Sequence, residues 1–356
     1  MNRKIINYIV KGKKVFVGLE DSKRSWKLSV RCEGREIHYT SFEAKYNVLR
    51  EYLKNKYPDC DITVIYEAGF RGFSLYDKLT ADNIKCVVTP PNKVTQEKCS
   101  RIKTDKIDAR RLAIVLENGD YKKCSVPDPE RRNDRQLSRF LVQVQNEITR
   151  SKNRIRKLLD FIGYSEEFAA GAWTEKDYAV VRSLPLPKKL KEVLDGCFTI
   201  LDCCKQLRKK VHKQMMEIAK KERYSKAVKI LSGVSGIGKL TAIRLVLEWG
   251  EDMGIRFRSG RALACFSGLT QSEYSTGERI RKGRITRQGR GCIRGWLIQC
   301  AWVCIKKDPA MLQAFQRISA NTGSKKKAIV AIARKLVVRI WTCLHTNTEY
   351  CIGVIE

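Results

Sequence analysis

The order of elements written into the first 120 residues, β-β-β-α-β-α-β-α, restricts the fold of this chain more than any other feature. Val15–Leu19 is a short apolar run that ends in Glu20-Asp21. Trp26–Arg31 and Glu36–Thr40 follow as two further strands, separated by a Glu33-Gly34-Arg35 turn. Phe42–Lys56 has helical spacing, and Ile62–Tyr66 reads as a buried strand running straight into Glu67-Ala68-Gly69. Gly72–Asp82 predicts a helix and Ile84–Val88 a fifth strand, stopped by Pro90-Pro91. Thr104 is suited to cap a last helix from Asp105 to about Asn118.

This order is that of an RNase H-like sheet. Carboxylates fall at the end of the first strand, at the end of the fourth and at the start of the last helix. In open α/β sheets ligands sit beyond the carboxyl ends of strands, so three chain-distant acidic positions can converge there. Asp105 and Asp108 are three apart and share one helix face. Two readings stay open at this point: a hard-metal site facing a polyanion, or a first turn whose acids offset the helix dipole.

Charge separates the classes of partner. The 356 residues carry 71 Lys+Arg against 38 Asp+Glu, a formal net charge of +33. Such a surface favours nucleic acid, because neutralised phosphates release counterions. A membrane surface is the rival polyanion, but no apolar run reaches the roughly 18–20 residues that span a bilayer. The first 14 residues are basic and lack the apolar core of a signal peptide, so a cytoplasmic protein without a membrane partner is expected. The 14 cysteines are scattered without a C-x-x-C, and there are three histidines, so reduced, buried thiols are expected rather than a structural zinc site.

From Arg131 to Gly163, Leu137, Leu141, Val144, Ile148, Ile155, Leu158 and Ile162 keep a 4-3 spacing, interrupted by Ser151. The pattern breaks at Pro185 and Pro187 and resumes at Leu190, Val193, Cys197, Ile200, Cys204, Leu207, Val211 and Ile218. Two heptad helices joined by a loop predict an antiparallel coiled-coil hairpin or an oligomerisation arm; two amphipathic helices packed on their own domain are the alternative. Further on, Gly233, Gly236 and Gly238 precede a helix over Leu240–Trp249, as in a helix-hairpin-helix turn whose amides can hold a phosphate. It is not a P-loop, since Lys239 is followed by Leu240.

A second chemical centre lies between Gly268 and Arg290. Glycines recur there, predicting a loop that permits close backbone approach. From Ser275 to Arg294 there are seven basic residues and one acid. A hydroxyl among guanidinium groups can attack a phosphodiester, with the arginines stabilising the pentacovalent phosphate; equally, Ser and Thr can only hydrogen-bond the backbone of DNA.

With both centres in view, the chain resembles the DEDD-type transposases of bacterial insertion sequences, the family of the Piv-like DNA invertases and the bridge-RNA-guided serine recombinases. The resemblance rests on Val17-Gly18-Leu19-Glu20, Tyr66-Glu67-Ala68-Gly69 and Lys103-Thr104-Asp105-Lys106-Ile107-Asp108-Ala109-Arg110. In the second half it rests on Gly236-Ile237-Gly238, Gly268-Leu269-Thr270, Ser275-Thr276-Gly277 and Gly283-Arg284-Ile285-Thr286-Arg287-Gln288-Gly289. It implies a RuvC-like domain over 13–130, a coiled-coil arm over 131–222 and a helical C-terminal transposase domain over 223–350. It implies Mg²⁺ on Glu20, Glu67, Asp105 and Asp108. The family usually has Asp at the first of these positions, and Asp21 is the alternative to Glu20. Ser275 is the implied nucleophile, with Thr276 as alternative. Gly236, Gly238, Lys239, Arg279, Arg281, Lys282, Arg284, Arg287 and Arg290 are the expected nucleic-acid contacts. The implied partners are double-stranded DNA at element ends and target, a structured guide RNA, and further copies of the chain in a dimer or tetramer. A Holliday-junction-type nuclease using metal-activated water and a non-catalytic nucleic-acid-binding protein are the competing functions.

Overall fold

The structure is a computed structural model that describes residues 10–91, 104–164, 173–276, 281–286 and 288–353. The chain separates into two compact units, Met1–Val126 and Pro127–Glu356.

The first unit contains β1 (Lys14–Glu20), β2 (Ser25–Cys32), β3 (Arg35–Glu43), α1 (Tyr46–Lys56), β4 (Asp61–Glu67), α2 (Ser74–Ala81), β5 (Lys85–Thr89) and α3 (Asp105–Asn118). Its sheet has the order β3-β2-β1-β4-β5; β1 pairs antiparallel with β2 and parallel with β4, and β4 pairs parallel with β5. Strand alternation divides β1 between two faces. Val15, Val17 and Leu19 join Leu49 and Leu53 of α1 and Leu75 and Leu79 of α2 in one core. Phe16 turns to the other face, where Ile65 and Val87 pack with Leu112, Val115 and Leu116 of α3. One expected boundary moves. Phe42 belongs to β3, paired with Trp26, and the helix starts at Tyr46. An apolar residue at a strand end fits period 2 as well as period 3.6, and the cross-strand partner decides.

Gly18 is what lets α3 lie on the sheet. A Cβ there would stand 2.2 Å from the Ala109 carbonyl oxygen and 2.3 Å from the Ala113 nitrogen. These are backbone atoms of α3, so a methyl can be accommodated only by lifting the helix. Gly18→Ala is expected to cost about 2–3 kcal/mol and to speed hydrogen exchange in β1 and α3 together. Gly196, in a helix interior with no described residue within 4 Å of its would-be Cβ, supplies the contrast: Gly196→Ala should stabilise by about 0.5–1 kcal/mol.

The second unit begins with α4 (Pro129–Phe161), α5 (Glu175–Ser183) and α6 (Lys188–Ile218). The long helices run antiparallel. Lys221, just past α6, bonds Glu130 at 2.7 Å and Asp134 at 3.0 Å near the start of α4, while Leu194 and Phe198 pack with Ile155 and Leu159 near its end. The buried stripe on α6 keeps the expected Val211 and Ile218 but departs from the expected seam in the first half of the helix. Leu194, Phe198 and Leu201 are buried, whereas Val193 and Ile200 are 52% and 47% exposed. The reason is α5, whose Tyr178 and Val181 enter the same core and turn α6 toward two partners instead of one. Then come α7 (Glu222–Gly233), α8 (Lys239–Trp249), α9 (Met253–Arg256), α10 (Gly260–Phe266), β6 (Gln271–Glu273), β7 (Lys282–Ile285), α11 (Gly291–Cys304), α12 (Pro309–Thr322) and α13 (Lys325–Thr346). Trp249 and Ile243 of α8, Leu297 of α11 and Leu336 of α13 sit in its core. Among the described residues no helix is long and apolar enough to cross a membrane.

Candidate functional site

The acidic site is built by register. Leu19 lies beside Tyr66 in the parallel β1–β4 pair, so Glu20 and Glu67 end adjacent strands at one edge. Alternation places both on the face that α3 covers, since Phe16 and Gly18 precede Glu20 there and Ile65 precedes Glu67. Thr104 caps α3, its Oγ1 accepting from the Ile107 amide at 3.3 Å, which puts Asp105 and Asp108 in the first turn. The side chains feel one another. Burial and then the charges of Glu67, Asp21, Asp108 and Asp105 push the Glu20 carboxyl up to about 7. Asp108 also pairs with Arg111 at 3.1 Å.

Asp21 faces the other way. It is 8% exposed, and its Oδ2 is buried without a hydrogen-bond partner among the described residues. Burial raises its carboxyl to about 6, opposed by Arg71. Arg71 itself donates to the backbone carbonyls of Asp21, Ser22 and Lys23 at 2.9–3.0 Å, bracing the loop after β1. Glu20, not Asp21, therefore shares a face with Glu67 and α3. Among the described residues no three His, Cys, Asp or Glu side chains form a ready-made metal cluster; the acids share an electric field rather than one point. The donors nonetheless suit a hard divalent cation. They are carboxylate oxygens, and one of them, Glu20, is pushed up to about 7 by burial and then by the repulsion of its acidic neighbours, which such a cation relieves.

The expected glycine-rich loop of the second centre is a β-hairpin. β6 and β7 are antiparallel, extended at one end by Thr286 N to Thr270 O at 3.0 Å and at the other by Tyr274 N to Arg281 O at 2.9 Å. Two glycines clamp its base. A Cβ on Gly268, at φ +72°, would lie 2.4 Å from Gln288 O, and one on Gly289, at φ +78°, would lie 2.5 Å from Phe266 O. Ser275 follows β6 and is exposed, and its hydroxyl donates to Glu273 Oε1 at 2.8 Å. Thr276 is exposed too, and its hydroxyl has no hydrogen-bond partner among the described residues. Arg281, Lys282 and Arg284 are exposed along the opposite strand. Arg279 and Arg287 lie outside the described residues.

Other expected contacts take different places. Gly236 has φ +94°, and a Cβ there would meet Cys300 O at 2.4 Å, so this glycine seats the α7–α8 turn against α11. Gly238 and Lys239 are exposed at the start of α8. Arg290 is committed to a carboxylate: it pairs at 2.8 Å with Glu248, whose side chain is 2% exposed and also meets Arg135 at 3.0 Å and Arg139 at 3.2 Å. Burial pushes the Glu248 carboxyl up, but Arg135, Arg139 and Arg290 together hold it below its ordinary value. Glu273 and Glu248 are absent from the sequence-based set of site residues. A signal existed for Glu273, which stands two residues before Ser275; on a strand that spacing means one face. For Glu248, within an apolar helix, no local signal existed.

Comparison with known proteins bears on both halves. A family profile for DEDD-type IS110 transposases matches residues 17–164, and one described as the transposase IS116/IS110/IS902 family matches residues 228–316. A protein of Sinorhizobium fredii named as a transposase is 30% identical over 310 residues, covering 80% of this chain and 77% of its own. The chain belongs to the IS110/IS116 transposase family. It is a DNA transposase. The transposase for insertion sequence element IS1533 of Leptospira borgpetersenii is 26% identical over 262 residues, 72% of this chain and 75% of its own. The pilin gene-inverting protein of Moraxella bovis is 29% identical over 123 residues, 34% of this chain and 38% of its own. The mixed sheet of the first unit, followed by a helical region, fits the RNase H-like fold that the DEDD transposase profile implies.

Proposed function

We propose that this transposase exchanges DNA strands through the Ser275 hydroxyl. The supporting observation is the 2.8 Å hydrogen bond from Ser275 Oγ to Glu273 Oε1 on an exposed hairpin edged by Arg281, Lys282 and Arg284. Glu273 accepts the hydroxyl proton as Oγ bonds to phosphorus. The P–O3′ bond breaks, leaving a 5′-phosphoserine, and the departing O3′ takes a proton from water to become a free 3′-hydroxyl. The basic residues of β7 compensate the charge gathered on the phosphoryl oxygens. Glu273→Gln is expected to slow strand cleavage about 100-fold, the lower end for a lost general base, while the adduct still maps to Ser275. Unchanged cleavage in this variant removes Glu273 from the reaction.

Glu20, Glu67, Asp105 and Asp108 would hold Mg²⁺ in this reading. When bound, the ion polarises the scissile phosphate. Residues 13–130 then form the metal-binding domain, 131–222 the arm and 223–350 the nucleophile domain. The partners are duplex DNA, a structured guide RNA and further copies of the chain. The acid cluster gives a test that needs no DNA. A carboxyl raised in the folded state costs nothing below its unfolded value, and its cost grows as pH rises from about 4.5 to about 7. Glu20→Gln should therefore raise stability at pH 8 by on the order of 1 kcal/mol after solvent screening, and leave it unchanged at pH 4. Mg²⁺ should raise the melting temperature of the wild type and not that of Glu20→Gln or Asp105→Asn. An equal response in all three removes the metal assignment.

A further inference from the structure

Arg244 is a half-buried arginine without a carboxylate among the described residues. Arg31, Arg131, Arg135 and Arg339 each meet an acid in the interior of their unit. Arg244, on α8, meets none among the described residues, and its Nε is buried with no hydrogen-bond partner. Its guanidinium lies 3.8 Å from the centroid of the Trp296 ring, on α11. Burial, offset by Cys292, pulls its pKa down to about 10. An uncompensated cation in such a place is a cost to the fold that an incoming anion or π-system removes.

The pair lines a cleft of about 700 Å³ among α4, α6, α8 and α11, within the size range of small-ligand sites. Arg208 and Lys209 of α6 stand on one wall, both exposed, and among the described residues no carboxylate lines the cleft. Gln145 and Asn146 of α4 offer amide donors and acceptors from another wall. A stacked Arg–Trp floor, cations at the rim and neutral hydrogen-bonding groups are the elements that hold a single nucleotide. A duplex keeps its bases stacked inside and would present only phosphates to the rim.

We propose that this cleft receives a nucleotide of an unpaired DNA strand, its base on the Arg244–Trp296 stack and its phosphate against Arg208 and Lys209. Strand exchange by a transposase exposes such nucleotides. The proposal concerns binding and is independent of which hydroxyl attacks DNA.

The test measures the full-length protein against a fluorescein-labelled single-stranded DNA 20-mer, the same sequence as RNA, and the matching DNA duplex, over a range of salt. Trp296→Ala should weaken single-stranded DNA binding about tenfold and leave duplex binding and the salt slope unchanged, because stacking carries no counterion release. Trp296→Phe, which keeps a ring, should stay within about threefold of the wild type. Arg208→Gln with Lys209→Gln should lower the single-strand salt slope by about 1.4, two contacts at about 0.7 each. Arg244→Gln guards against misfolding of Trp296→Ala, since it removes an unpaired cation rather than a packed ring. It should weaken single-strand binding with no fall in melting temperature. Single-strand binding unmoved by Arg244→Gln, or lowered equally with duplex binding in Trp296→Ala at native melting temperature, overturns the proposal. Trp296-dependent binding of the RNA alone overturns the assignment to DNA.

Discussion

Ser275→Ala should abolish the covalent protein–DNA adduct and reduce strand exchange by on the order of 10⁴-fold or more, the scale of losing a nucleophile that nothing replaces. The side chain is exposed and in no core, so the fold should be unaffected. Denaturing gels with end-labelled DNA would show adduct and cleavage separately. Each outcome assigns a different chemistry. No adduct and no cleavage supports serine attack. Cleavage without an adduct means that water attacks and Ser275 only holds phosphate. An adduct that persists and maps to Thr276 moves the nucleophile one residue along. Thr276 is the weaker candidate because its hydroxyl is secondary and, unlike that of Ser275, has no carboxylate to accept its proton among the described residues.

Glu248→Ala is expected to destabilise the second unit by about 3–5 kcal/mol, because it leaves buried arginine charge uncompensated. Arg135 is 17% exposed and depends on Glu248 at 3.0 Å. Arg139 and Arg290 share the same carboxylate, so three elements lose a common anchor: α4, α8 and the segment between the hairpin and α11. Urea unfolding at pH 7 would measure the loss. The effect should shrink in acid. The Glu248 carboxyl is held below its ordinary value, so its contribution is complete above about pH 4.5 and disappears as pH falls through the lowered folded value. Arg290→Gln should cost less, since its side chain is 40% exposed and Glu248 keeps two partners. A larger loss of DNA affinity than of stability in Arg290→Gln would return Arg290 to the nucleic-acid interface.

The acid site illustrates what local pattern can and cannot carry. A Thr followed by Asp at the first and fourth helical positions is a capping pattern, and α3 begins there as the pattern requires. Glu20 and Glu67 stand at strand ends because each apolar run stops at them. The choice between Glu20 and Asp21 follows from period-2 alternation only once it is known which face α3 covers, and Gly18 determines that. The α6 seam shows the opposite case. Heptad spacing is a local quantity, but the direction of a helix's buried side depends on how many neighbours it has, and α5 was not visible as one.

From the residues alone come the strand and helix order, the strongly basic surface, the cap of α3 and the strand-end positions of the acids. These are properties of neighbouring residues, set by backbone periodicity and by the chemistry of single side chains. Tertiary structure alone decided that α3 rests on Gly18, that Glu248 gathers three arginines, and that Arg244 is left with Trp296 and, among the described residues, no acid. Each depends on chain segments brought together by packing. Which charge is compensated and which is left free is a sum over all of them.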